Sequence, residues 1–298
     1  MDIKKIIENS STGKNAVIEQ VSLQGHIYND LFKITAGSQI YSAKVRNINS
    51  WNIKESLYCL SSIDNKDKFI HPYTEIIEAG DNVILISEWL KGSQPITENR
   101  DKIKLFFKSL AEFNKKNKSD APYTSMYLDG KTFLNIEEMI KTEASQYFQF
   151  YKGKHGLKKL KTCLLGLSAG FGTVIMEDFN TGNMFIKEDG GLCLIDTEYL
   201  IRGLNTYQFE HINLFKLETP VWSNITEEAA ESLKVYFDAL NISGSNAEIQ
   251  IRGYYLMSEF RKMAYSAYKK ETVDFNVIDN NIDLIINGNI YENHSNKD

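Results

Sequence analysis

The chain has 298 residues, 42% of them hydrophobic and 24% charged, an ordinary globular composition with material for one large domain or two packed together. A formal net charge of −5 offers no general attraction to nucleic acid or to an anionic membrane, so neither is expected as a partner. Cys59, Cys163 and Cys193 are odd in number and far apart, with no Cys-x-x-Cys pair and no disulfide framework, which suits a reducing compartment. The N-terminal run Met1-Asp-Ile-Lys-Lys-Ile-Ile-Glu8 carries charges where a signal peptide needs apolar residues, and no stretch reaches the roughly eighteen apolar residues of a spanning helix. The expected address is the cytoplasm.

Residues 1–9 read as a short amphipathic helix. From Val17 to Ile86 the pattern is strand-like, with turn chemistry between the runs. Strands are expected at Val17–Leu23, Asp30–Thr35 and Ile40–Arg46, with the polar break Gln24-Gly-His-Ile-Tyr-Asn29 between the first two. In the third strand Tyr41, Ala43 and Val45 alternate with Ser42, Lys44 and Arg46, so Lys44 and Arg46 share one face and the apolar residues the other. A helix is expected over Ser50–Ile63, then strands at Thr74–Glu78 and Asn82–Ser87 joined at Ala79-Gly80-Asp81.

After Lys91-Gly92 the chain turns helical. Ile103, Phe106, Leu110 and Phe113 mark one face of a helix over Arg100–Lys116, and Asn135–Tyr151 and Leu157–Leu167 read as two more. A strand-rich island spans Thr173–Ile195. Helices then dominate to about Ile286, one of them opened by a capping box at Ser245 and Glu248, and the tail from Asn289 is polar. The fold class is therefore α+β: a small antiparallel β-sheet lobe with one helix over residues 1–91, and a larger, mainly helical lobe over 92–298.

The island concentrates the chemistry. An apolar run, Val174-Ile-Met176, leads through Glu177 to Asp178, and Asn183 follows in the same loop. Met184-Phe-Ile186 forms a strand, Glu188-Asp-Gly-Gly191 turns it, and Leu192–Ile195 returns to Asp196. A hairpin brings its two ends together, so Asp178, Asn183 and Asp196 can converge at one mouth. Two carboxylates and an amide oxygen are hard ligands of the sort Mg2+ takes beside phosphate groups. Phosphoryl transfer needs an acid to orient a hydroxyl, oxygen ligands for the metal and a cation on the phosphates, and the order Asp-x4-Asn, hairpin, Asp matches that requirement.

On these residues the chain resembles the aminoglycoside phosphotransferase/choline kinase family, whose signature runs roughly His-Gly-Asp-x-x-x-Gly-Asn and then Ile-Asp-Trp-Glu. Asp178, Gly182, Asn183, Ile195, Asp196 and Glu198 stand at matching positions. The resemblance implies a protein-kinase-like fold, ATP (or GTP) and Mg2+ as cofactors, Asp178 as catalytic base, and Asn183 and Asp196 as metal ligands. Glu198 would be an auxiliary acid near metal or substrate. Gly25, in Leu23-Gln-Gly-His-Ile-Tyr-Asn29, would belong to the phosphate loop, and Lys44 would be the phosphate-binding lysine with Glu55 as its ion-pair partner. The segment from Val83 to Gly92 resembles the last N-lobe strand and hinge, where the backbone from Glu88 to Leu90 would hydrogen-bond adenine. Met176 and Glu177 depart from the family's His and Gly, and Gln208 from its Asp.

Plainer roles stand beside these. Arg46 shares the face of Lys44 and competes for the phosphates. Gly25 can serve a turn, Glu55 can be a surface residue, and Glu198 can cap or salt-bridge. His26, His71, His155, His211 and His294 show no ligand spacing and read as structural or surface residues. Tyr199, Tyr207 and Trp222 read as core before they read as a cage for a cationic amine. The expected protein moves a γ-phosphate to a hydroxyl of a small molecule, with Glu177, Glu198 and Glu210 pointing to an amine-bearing one such as an aminoglycoside or choline. It is expected to act as a monomer or homodimer. The alternative is a kinase-fold nucleotide-binding or regulatory protein with weak or no turnover.

Overall fold

A computed structural model describes residues 2–23, 26–63, 68–90, 94–95, 101–176, 181–209 and 227–288. These residues belong to two compact units: Met1–Pro95 with Met184–Leu200, and Ile96–Asn183 with Ile201–Asp298. The chain passes from the first unit to the second after Pro95, and Met184–Leu200 belongs to the first.

In the first unit, α1 (Ile3–Glu8) starts at Asp2, whose carboxylate accepts from the Lys5 N–H at 3.1 Å. Strands β1 (Val17–Leu23), β2 (His26–Ala36) and β3 (Gln39–Asn47) are followed by α2 (Trp51–Ser62), β4 (Tyr73–Ala79) and β5 (Asn82–Glu88). The strands form one antiparallel sheet in the order β1-β2-β3-β5-β4. The loop Gly80-Asp81 between β4 and β5 is two residues long, and Gly80 takes the positive φ of +60° such a turn requires.

The sheet is covered on both faces. Ile34, Ala43, Ile84 and Ile86 pack with Ile7 of α1, while Val83 and Leu85 pack with Ile53 of α2. That explains why Val83-Ile-Leu-Ile86 is an unbroken apolar run: each parity of β5 meets a helix. Burying one such side chain contributes about 1.5–3 kcal/mol relative to exposure. Helices α1 and α2 thus cover the two faces of the sheet.

Beyond β6 (Gln94–Pro95), the second unit holds α3 (Asp101–Lys116), whose Phe106, Phe107, Leu110 and Phe113 are all buried. A short hairpin, β7 (Tyr123–Ser125) with β8 (Lys131–Phe133), precedes α4 (Ile136–Phe148), α5 (Leu157–Leu165) and β9 (Gly172–Met176). Asn135 starts α4 by accepting from the N–H groups of Glu137 and Glu138 at 2.7 and 3.2 Å.

The chain then enters the island hairpin of β10 (Met184–Ile186) and β11 (Leu192–Leu194), where Met184 faces Leu194 and Ile186 faces Leu192. β6 joins its other edge through Phe185 and Ile186. Gly190, at φ +80°, makes the turn. After β12 (Leu200–Leu204), which pairs with β9, the unit continues through α6 (Glu227–Ala239), α7 (Gly244–Tyr268) and α8 (Phe275–Asn287). The cap of α7 is Ser243, accepting from the Asn246 N–H, rather than Ser245. Glu248 pairs with Arg252 one turn on. Among the described residues no helix is long and apolar enough to cross a membrane.

Candidate active site

The site grows from the alternation of β3. Ala43 points into the α1 side of the sheet, so Lys44 and Arg46 emerge on the opposite face, across from Leu85 and Val83 of β5. Lys44 Nζ forms an ion pair with Asp196 and a second with Glu198 Oε1 at 3.2 Å. Arg46 donates to the same Glu198 oxygen at 3.0 Å and to Asp30 at 2.6 Å. Tyr73 donates its hydroxyl proton to Glu198 Oε2 at 3.2 Å. The Glu198 side chain is 1% exposed, so two cations and a phenol share one buried carboxylate. Burial first, and the Glu198 charge second, push the Tyr73 phenol well above its usual value and keep it a donor. Arg46 loses by burial but is raised on balance by Glu198 and Asp30.

Asp196 sits just past β11 with φ +60° and ψ 41°, a left-handed conformation that costs a non-glycine residue roughly 1–3 kcal/mol. The turn is held from α2: Ser56 Oγ donates to the Thr197 carbonyl at 2.7 Å, and Ser56 is itself buried. Glu55 does not take the role expected of it. The ion-pair partners of Lys44 are Asp196 and Glu198, whereas Glu55 faces the Cys59 thiol one turn along α2. The reason is helical phase, since Glu55 and Ser56 point about 100° apart and Ser56 is the one turned toward the island.

A cavity of about 260 Å³ opens here, lined by Lys44, Asp196 and Glu198 together with Ser42, His71, Ser87, Glu88, Trp89 and Leu90. In the β3–β5 register Glu88 faces Tyr41 and Leu85 faces Lys44. Three residues along a strand separate the lysine from the Glu88 backbone by about 10 Å. Five of the residues expected at the site (Lys44, Asp196, Glu198, Glu88 and Leu90) therefore line one cavity. Gly25 and Asp178 lie outside the described residues. Asn183 is buried, at 7% exposure, and directly precedes Met184, so it leaves the hairpin at the same end as Asp196.

Asp196 and Asn183 carry hard oxygens of the kind magnesium takes. The Glu198 carboxylate is engaged by Lys44, Arg46 and Tyr73. Among the described residues no group of three or more His, Cys, Asp and Glu is arranged to hold a metal.

In the second unit, the two departures from the family signature have structural uses. Met176 ends β9 with 1% exposure and is core. Gln208, also 1% exposed, donates from Nε2 to Asn114 Oδ1 and to the Asn205 carbonyl, both at 2.8 Å. Tyr236 donates to the same Asn114 oxygen at 2.8 Å, and Asn114 donates to the Val174 carbonyl of β9 at 2.9 Å. A neutral amide network thus holds the strand that leads to Asp178. Tyr207 is core, donating to the buried Glu143 at 3.1 Å beneath the Arg261 guanidinium, while Glu177, Glu210, His211 and Trp222 lie outside the described residues.

Sheet, helix, hairpin and lysine–aspartate pair define a chain of the α+β, two-lobed kinase-like fold. Solved structures bear this out. The chain is similar to choline kinase LicA from Streptococcus pneumoniae, with a TM-score of 0.55 and 14% identity over 97% of this chain and 99% of that one. It is similar to an aminoglycoside phosphotransferase from Alicyclobacillus acidocaldarius, with a TM-score of 0.55 and 14% identity over 88% and 86% of the two chains. A thermostable mutant of aminoglycoside phosphotransferase APH(4)-Ia, in a ternary complex with AMP-PNP and hygromycin B, aligns at a TM-score of 0.59 and 12% identity over 97% and 98%. No protein-family model matches the chain, and no curated protein sequence matches it significantly. At these identities the likeness establishes the fold.

Sequence reasoning missed three contributors to the site. Ser56 and Tyr73 carried no spacing signal. His71, which the sequence marks as structural or surface, lines the cavity and bonds the Glu88 backbone.

Proposed function

We propose that this protein is a phosphotransferase that moves the γ-phosphate of ATP or GTP to a hydroxyl of a small, amine-bearing molecule such as an aminoglycoside or choline, with magnesium. The observation that carries the reading is the Lys44–Asp196 ion pair in a cavity that also reaches the exit of β5, about 10 Å away, which is the span from a nucleobase to its phosphates. Structures similar to this chain hold AMP, ADP or AMP-PNP, which supports a nucleotide as the donor.

In this reading the hydroxyl oxygen attacks the γ-phosphorus, the bond to the β–γ bridging oxygen breaks, and Asp178 orients the hydroxyl and takes its proton. Lys44, held in place by Glu198, would neutralise the α- and β-phosphates. Asn183 and Asp196 would hold the metal. Magnesium, when bound, neutralises the charge on the transferring phosphates. Glu88 to Leu90 bound the base.

The test is a screen of amino alcohols, sugars and aminoglycosides with magnesium–ATP and magnesium–GTP, reading phosphorylated product by mass. Transfer is expected in the wild type and should fall at least about 100-fold in Asp178→Ala and in Asp196→Ala, the scale of a lost general base or metal ligand. Both variants should keep the wild-type circular dichroism. Full activity in both would overturn the reading. Nucleotide binding with no transfer to any acceptor would favour the alternative, a nucleotide-binding protein without turnover, for which the neutral Gln208 network is the motive.

A further inference from the structure

His71 occupies a position that bears on which base the cavity accepts. Its backbone is pinned to the island hairpin: the His71 N–H donates to the Leu194 carbonyl at 2.8 Å, and the Leu194 N–H donates to the Phe69 carbonyl at 2.7 Å. Its side chain turns the other way, with Nε2 2.7 Å from the Glu88 carbonyl oxygen. A carbonyl only accepts, so Nε2 carries the proton and donates. Burial pulls the imidazole below its usual value, so the ring is neutral at physiological pH and this single N–H defines its tautomer.

The Glu88 carbonyl is the last one of β5, and its direction is fixed. The Trp89 N–H of the same peptide donates to Ile40 of β3 at 2.8 Å, so the carbonyl points away from β3. There β4 pairs only as far as Tyr73 opposite Ser87, and the next ladder position is filled by the His71 ring. Glu88 lines the cavity, and its carbonyl already accepts one hydrogen bond, from the His71 Nε2–H.

Resting on the nucleotide reading of the cavity, we propose that His71 sets base selectivity: its Nε2–H holds the Glu88 carbonyl, so a purine binds without using a 6-amino group at that oxygen. The site then recognises the purine ring and phosphates and does not distinguish adenine from a purine lacking the amine. Removing the imidazole frees the acceptor and creates a preference for adenine.

The experiment compares the Kd of magnesium–ATP with that of magnesium–purine riboside triphosphate, which differs only by hydrogen in place of the amine. It uses the wild type, His71→Ala and, to keep the hinge covered without a donor, His71→Leu. Expected are equal affinities within about twofold in the wild type, and a gain of roughly three- to tenfold for ATP over the analogue in a folded variant, the worth of one hydrogen bond. A wild type that already prefers ATP by that margin, or two folded variants that acquire no preference, overturns the inference while leaving the nucleotide site standing. Binding of neither nucleotide by any of the three proteins overturns the reading of the cavity, and the inference with it.

Discussion

At the scale of residues, the site turns on Glu198. A carboxylate that is 1% exposed and bonded by Lys44, Arg46 and Tyr73 has its desolvation offset only while those partners remain. Glu198→Ala leaves two cations facing a cavity without their shared counter-charge. It should lower the unfolding free energy by about 3 kcal/mol in urea denaturation, the scale of a broken buried pair. Nucleotide affinity should drop with it, because Lys44 loses the group that holds it. Glu55→Ala should leave affinity within about twofold, since Glu55 is not a partner of Lys44. The reverse ranking of the two variants would show that the helix glutamate, and not Glu198, positions the lysine.

At the scale of elements, the N-terminal segment is tied to the sheet by Glu75 of β4. Its carboxylate accepts from the N–H and hydroxyl of both Ser11 and Thr12, at 2.7 to 3.2 Å. Burial pushes this carboxyl up, but the four hydrogen bonds outweigh it and hold its pKa below the usual value of 4.5. A depressed folded-state value means the native protein binds fewer protons there than the unfolded chain. This contribution is therefore full above the unfolded value and is lost as pH falls through the folded one. Urea denaturation from about pH 6 down to about pH 3 should show a steeper acid loss in the wild type than in Glu75→Gln. Equal slopes would mean that the tether contributes nothing to stability.

Most of these elements could be read from the sequence because their patterns are local. Alternation along β3 gave the shared face of Lys44 and Arg46, and the run 82–87 marked a strand, although its coverage on both faces shows only in the packing. The rest depends on long-range geometry. Nothing near Lys44 shows that its partners lie at 196 and 198, and the side of α2 that meets the island is set by packing, which chose Ser56 over Glu55. β6 has two residues and exists only because β10 offers it an edge. His71 became visible once β4 proved to stop one position short of the Glu88 carbonyl.

At the scale of the molecule, a chain 12–16% identical to choline kinase and aminoglycoside phosphotransferase structures keeps their fold over nearly all its length. What such distant chains must share is burial pattern and strand order, which many sequences satisfy; the polar framework can be rebuilt. Here Gln208, Asn114 and Tyr236 form a neutral network behind β9, and Glu198 gathers the cations of β3. The cavity beside Lys44 and Asp196 is the proposed magnesium–nucleotide site. Thermal unfolding of the wild type and Asp196→Ala, with magnesium–ATP and magnesium–GTP in large excess, tests it directly. At about 100-fold over Kd, a ligand specific to the native state adds about 2.7 kcal/mol. The wild-type midpoint should rise with at least one nucleotide, only when magnesium is present, and the rise should be lost in Asp196→Ala; an unmoved wild-type midpoint with both nucleotides would contradict the account.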